Sequence, residues 1–120
     1  MPVPVATHPS ARPVDHLACN GRDADPALVL RGETLSFKDL RSRVAAMAGF
    51  LARCVTPGAR VASWAGKGEL TCLLPLACAR AGMVHVPVNP LLKRAQVAHI
   101  LADSGASLLL GNAARLATLE

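Results

Sequence analysis

The chain has 120 residues, 52% of them hydrophobic and 18% charged, with a formal net charge of +5. A chain of that length suits one domain that buries roughly two-thirds of its unfolded surface, and the hydrophobic share excludes a disordered segment. The arginines are scattered without a basic block and only 2% of residues are aromatic (Phe37, Phe50, Trp64), which excludes a nucleic-acid surface built on stacking platforms and leaves the core to Ala, Leu and Val.

Prolines at positions 2, 4, 9, 13 and 26 break any sustained period, so residues 1–26 read as a Pro-rich leader that packs against the folded part or extends from it. A short helix over Pro13 to Cys19 would place Val14, Leu17 and Ala18 on one side. Ala27 to Arg31 reads as a strand, Gly32-Glu33 as a tight turn and Thr34-Leu35 as the returning strand. Ser36 then caps a helix, with Asp39 closing a shortened capping box. Phe37, Leu40, Val44, Met47, Ala48 and Leu51 recur at helical spacing, while Lys38, Arg41, Arg43 and Arg53 form a solvated face. That helix ends near Cys54, before Pro57-Gly58.

Arg60 to Trp64 is the next strand, Ala65 to Gly68 a loop and Glu69 to Ala81 a helix. Pro75 removes a donor inside that helix, which predicts a kink at Thr71 or a regular part starting close to Pro75. Gly82 stops the helix, and Val84, Val86 and Val88 mark a central strand closed by Pro87 and Pro90. Lys93 to Ser104 reads as an amphipathic helix with Val97, Ile100 and Leu101 inward, ended by Gly105. Ser107 to Leu110 is a third inner strand, and Asn112 caps a last short helix to Leu119. The expected fold is α/β, a parallel sheet with a mixed edge and flanking helices in three layers, with another strand due after Glu120.

The four cysteines (Cys19, Cys54, Cys72, Cys78) form no C-x-x-C pair and no zinc spacing with the histidines. Cys72 and Cys78 lie in apolar helical sequence and read as small hydrophobes, which fits a reduced, cytoplasmic protein. No basic region followed by an apolar run suggests a signal peptide. Leu70 to Val88 is interrupted by Pro75, Arg80, Gly82, His85 and Pro87, so no transmembrane segment is expected.

Several side chains invite sharper readings. Gly66-Lys67-Gly68 follows a strand and opens a helix, where anions bind, but it matches neither a Walker loop nor a dinucleotide loop. His85 on a strand and His99 on a helix flank lack a second ligand at a supporting spacing and read as structural. Asn89 before Pro90 reads as a turn former.

Two stretches carry a resemblance. Leu35-Ser36-Phe37-Lys38-Asp39-Leu40 resembles the first core motif of the AMP-forming adenylating enzymes, the superfamily of acyl-CoA synthetases, luciferases and peptide-synthetase adenylation domains. Ala79-Arg80-Ala81-Gly82 to Val86-Pro87-Val88-Asn89-Pro90 resembles the second. Between them Thr56-Pro57-Gly58-Ala59-Arg60-Val61 is similar to the family's Pro-Gly-Asp-Arg-Val, with Ala59 in place of the acid, and Asp103-Ser104-Gly105-Ala106 resembles its Asp-Ser-Gly-Ala. Order and spacing agree from Ala27 to Leu110. Leu91-Leu92-Lys93 with Gln96 to Leu101 resembles acyl-CoA ligases linked to exosortase systems.

The resemblance implies the amino-terminal part of the large domain of an acyl-CoA synthetase-like fold, with residues 27–120 a truncated portion of an AMP-binding ligase domain. It implies an acid–thiol ligase that uses ATP and Mg²⁺ to join a carboxylic acid, fatty acids included, to AMP and passes the acyl group to a thiol such as that of CoA. The family's phosphate loop, ribose motif and catalytic lysine have no match here. No catalytic, cofactor-binding or metal residue is therefore carried onto any position. The expected partner is the remainder of the ligase chain, and the segment alone is expected to be inactive. The alternative is a non-catalytic interaction module that pairs through an open sheet edge.

Overall fold

The computed structural model describes residues 11–120, so the leader prolines at positions 2, 4 and 9 lie outside the described part. After a 3₁₀ helix at Val14–Cys19 come strands β1 (Pro26–Leu30) and β2 (Glu33–Ser36) and helix α1 (Phe37–Cys54). Then β3 (Arg60–Trp64), α2 (Glu69–Ala81), β4 (Val84–Val88), α3 (Arg94–Ser104), β5 (Leu108–Gly111) and α4 (Ala113–Ala117) alternate.

The 3₁₀ helix buries Ala18 but leaves Val14 and Leu17 exposed, because its tighter winding does not hold the three on one side. In the hairpin Leu30 pairs with Glu33, so the turn is Arg31-Gly32 rather than Gly32-Glu33. Gly32 sets it by adopting φ +77°, a left-handed value open to glycine at little cost. β1 and β2 pair antiparallel as a sheet of their own, so the expected mixed edge is a separate two-stranded unit.

At the start of α1 the Asp39 N–H donates to Ser36 Oγ and the Ser36 N–H donates to Asp39 Oδ2, each at 3.1 Å. Leu40, Val44, Ala48 and Leu51 are the buried stripe. The opposite face is not simply solvated. Arg43 Nη1 donates to Glu69 at 2.6 Å and Nη2 to Glu33 at 2.9 Å, joining α1, α2 and the hairpin. Arg41 donates to the Ala18 carbonyl at 3.1 Å and pairs with Asp23, holding the segment before β1 onto α1.

The main sheet has the order β4-β3-β5 with both pairs parallel. β3 is thus the central strand, correcting the expectation that Val84 to Val88 is. β-branched residues mark strand propensity, not position within a sheet. Val61, Ala62, Ser63 and Trp64 are all buried, whereas Val84 is 50% exposed. Alternation splits the sheet between two cores. Val61, Leu108 and Leu110 face Leu51, Leu74 and Ala77 of α1 and α2. Ala62, Trp64, Val88 and Leu109 face Val97 and Ile100 of α3. The result is three layers, helices on both faces of a parallel sheet.

Helix α2 runs from Glu69 through Pro75 to Ala81, so its regular part does not start close to Pro75. The carbonyl deprived of its donor belongs to Thr71, an exposed residue open to solvent. Gly82 ends α2 at φ 76°, and the Met83 N–H reaches back to the Cys78 carbonyl at 2.8 Å. Cys78 is buried, but Cys72 is exposed on the outer side of α2 and is no core hydrophobe. Among the described residues no helix is long and apolar enough to cross a membrane.

Candidate functional site

Parallel pairing brings the carboxyl ends of three strands together. Trp64 stands opposite Val88 on one side and Gly111 on the other. The approach is close, since a Cβ on Gly111 would stand 2.7 Å from the Trp64 carbonyl oxygen. Open α/β sheets place their ligands beyond these strand ends, where loops from neighbouring strands diverge.

A cavity of about 590 Å³ lies at this rim, lined among others by Trp64, Pro90, Lys93, Arg94, Asn112 and Arg115. The loops that build it are fixed by local hydrogen bonds. Asn89 Oδ1 accepts from the Leu91 N–H at 2.9 Å, so Asn89 shapes the turn that leads into α3. The Lys93 N–H donates to Gln96 Oε1 at 2.9 Å, and Asn112 Oδ1 accepts from the Arg115 N–H at 2.8 Å. Arg115 extends toward the β3–α2 loop, with Nη2 3.8 Å from the place of a Cβ on Gly66.

The Gly66-Lys67-Gly68 loop borders a different cavity, about 740 Å³, between the hairpin and the start of α2. Lys67 and Arg31 line it together with Glu33 and Glu69. The Thr71 hydroxyl closes the loop on itself by donating to the Gly66 carbonyl at 2.6 Å. Two carboxylates and an occupied hydroxyl make a poor anion cradle.

His85 Nε2 is hydrogen-bonded to Ser63 Oγ at 2.8 Å, and burial lowers its pKa, keeping the imidazole neutral. By register both lie on the α1–α2 face of the sheet, away from the rim. His99 is exposed on α3. The residues singled out in sequence are therefore not gathered into one site, apart from Asn89 at the base of the rim loop. Trp64, Arg94 and Arg115 were missed, and their only sequence signal was position at the end of a strand or in the helix that follows one. Among the described residues no group of three or more His, Cys, Asp or Glu stands ready to hold a metal ion.

A parallel sheet between two helical layers, preceded by a hairpin, is the architecture of the amino-terminal domain of adenylate-forming enzymes. The chain belongs to the AMP-binding enzyme family, whose model matches residues 16–120. It is 39% identical over 85 residues to a fatty acid–[acyl-carrier-protein] ligase of Streptomyces coeruleorubidus, covering 70% of this chain and 16% of the ligase. It is 44% identical over 81 residues to a feruloyl-CoA synthase of an Amycolatopsis species, covering 66% of this chain and 16% of the synthase. The fold matches the N-terminal subdomain of Klebsiella oxytoca NpsA with a TM-score of 0.76 at 23% identity, over 86% of this chain and 28% of that one. The chain thus spans only a small part of these proteins.

Proposed function

We propose that this chain is the amino-terminal scaffold of an AMP-forming acid–thiol ligase. The observation that carries the reading is the family match over residues 16–120. In such a ligase a carboxylate attacks the α-phosphorus of ATP, pyrophosphate leaves, and a thiol then displaces AMP from the acyl-adenylate. Adenylation turns a poor leaving oxygen into a good one, which needs reactants held in line and developing charge neutralised. ATP with Mg²⁺ and CoA or a carrier-protein thiol are the co-substrates of this reading, and a reduced, ATP-supplied cytoplasm is its setting. A finer assignment to exosortase-associated ligases rests on Leu91 to Lys93 and Gln96 to Leu101.

The segment contributes structure: caps at Ser36 and Asn112, the helix stop at Gly82 and the strand exit at Asn89. It is inactive alone, and the remainder of the ligase chain is its partner. Two measurements test this. The chain by itself gives no carboxylate-dependent exchange of pyrophosphate into ATP. Grafted in place of the matching segment of a feruloyl-CoA synthase, it yields a folded enzyme that releases pyrophosphate with ferulate. Exchange by the chain alone, or a folded but inactive graft, overturns the scaffold reading.

A second reading, an interaction module, is favoured by the outer edges of β4 and β5, which have no strand partner among the described residues. It predicts a defined complex by light scattering, and a monomer across the accessible concentrations would exclude self-pairing.

A further inference from the structure

We propose that the cavity at the carboxyl rim of the main sheet is a binding site for a phosphate group, with Arg115, Arg94, Lys93 and the Trp64 indole as its donors. The site goes beyond the ligase reading and does not depend on it. Lys93, Arg94 and Arg115 line the cavity, and no carboxylate does. Among the described residues none of the three forms an ion pair, in contrast to Arg41 and Arg43. Three uncompensated cations converge on one concavity, where the field is focused by low-dielectric walls.

Two buried donors add an independent observation. Trp64 is 4% exposed, and its Nε1–H has no acceptor among the described residues. Arg115 Nη1 is likewise buried and without an acceptor. Buried donors in folded proteins almost always have partners, so an orphan pair beside one cavity calls for a ligand that supplies acceptors. The Asn112 Oδ1 is already committed to the Arg115 N–H, which leaves the rim rich in donors. Phosphate offers several acceptor oxygens and two negative charges, and a planar guanidinium pairs with it bidentately. A monoanionic carboxylate would leave more of this charge unmatched.

Trp64 is the sole tryptophan, so its indole N–H gives one resonance that reports the site alone. The full ¹⁵N-labelled chain is titrated with inorganic phosphate at ionic strength held constant with chloride. The expected result is a saturable shift of the indole resonance, with a rise in the thermal midpoint. Arg115→Gln weakens binding about tenfold, Arg115→Lys recovers part of it, and Arg53→Gln on α1 leaves it unchanged. Lys93→Gln serves as a second test on an exposed side chain should Arg115→Gln not fold. In a parallel arm, tighter saturation by adenosine 5′-monophosphate identifies the ligand as a nucleotide, and equal saturation identifies the phosphate group alone. An indole resonance that stays still, drifts without saturating, or moves equally with acetate overturns the proposal.

Discussion

Ser36 and Asp39 hold each other's backbone N–H groups, and the cost of breaking that exchange is readable one atom at a time. Ser36→Ala should lower stability by about 1 kcal/mol in urea denaturation, the usual cost of losing an N-cap. The Ser36 backbone N–H, and then its hydroxyl, hold the Asp39 carboxyl below its ordinary 3.8. The cap's contribution is therefore present above that pH and fades as pH falls through the lowered value. His85 behaves oppositely in charge but alike in sign. Burial lowers its pKa from 6.5, so below 6.5 the unfolded chain takes up the proton first. Stability should fall as pH drops from 6.5 to the lowered value and level off above 6.5, and His85→Gln should remove that slope in denaturation curves.

At this scale the caps were legible because donor and acceptor lie three residues apart. Arg43 was not, because Glu33 and Glu69 lie 10 and 26 residues away and only folding brings them to one guanidinium.

Among the elements, helix α2 carries a conflict between local and tertiary preference. Pro75 opposes a continuous helix, yet Leu73, Leu74, Leu76, Ala77 and Cys78 are buried around it and burial prevails. Pro75→Ala should restore the donor to the Thr71 carbonyl and raise stability by up to ~3 kcal/mol, measured as an increase in the urea midpoint. The succession of strands and helices could be read from periodicity and glycine stops. Strand order could not, since the most β-branched strand is β4, while the middle position went to Arg60–Trp64 with its small Ala62 and Ser63. Small side chains there let helices approach both faces.

In the molecule as a whole, thiol chemistry should separate surface from interior. Cys19, Cys54 and Cys72 are exposed and Cys78 is buried, its thiol pushed up to about 11 by desolvation. A native chain should therefore react rapidly at three cysteines, and Cys78 only at the rate of opening of the core. Mass spectrometry of labelled peptides checks this, and a Cys78 as reactive as Cys72 would contradict the packing. The rim cavity belongs to this scale too. Its walls come from positions near 64, 90–94 and 112–118, so no single stretch of sequence displays it.

The division of the sheet between two cores also has a consequence for the order in which the protein comes into being. Every fully buried member of the first core, from Ala18 to Met83, has been synthesised before β4 begins. The second core needs Val88 and Val97 as well as Ala62 and Trp64. A ribosome working from the amino terminus therefore supplies the buried members of one core before the helix that covers the other face of β3. Trp64 is thus the large side chain of the central strand whose covering helix is supplied last.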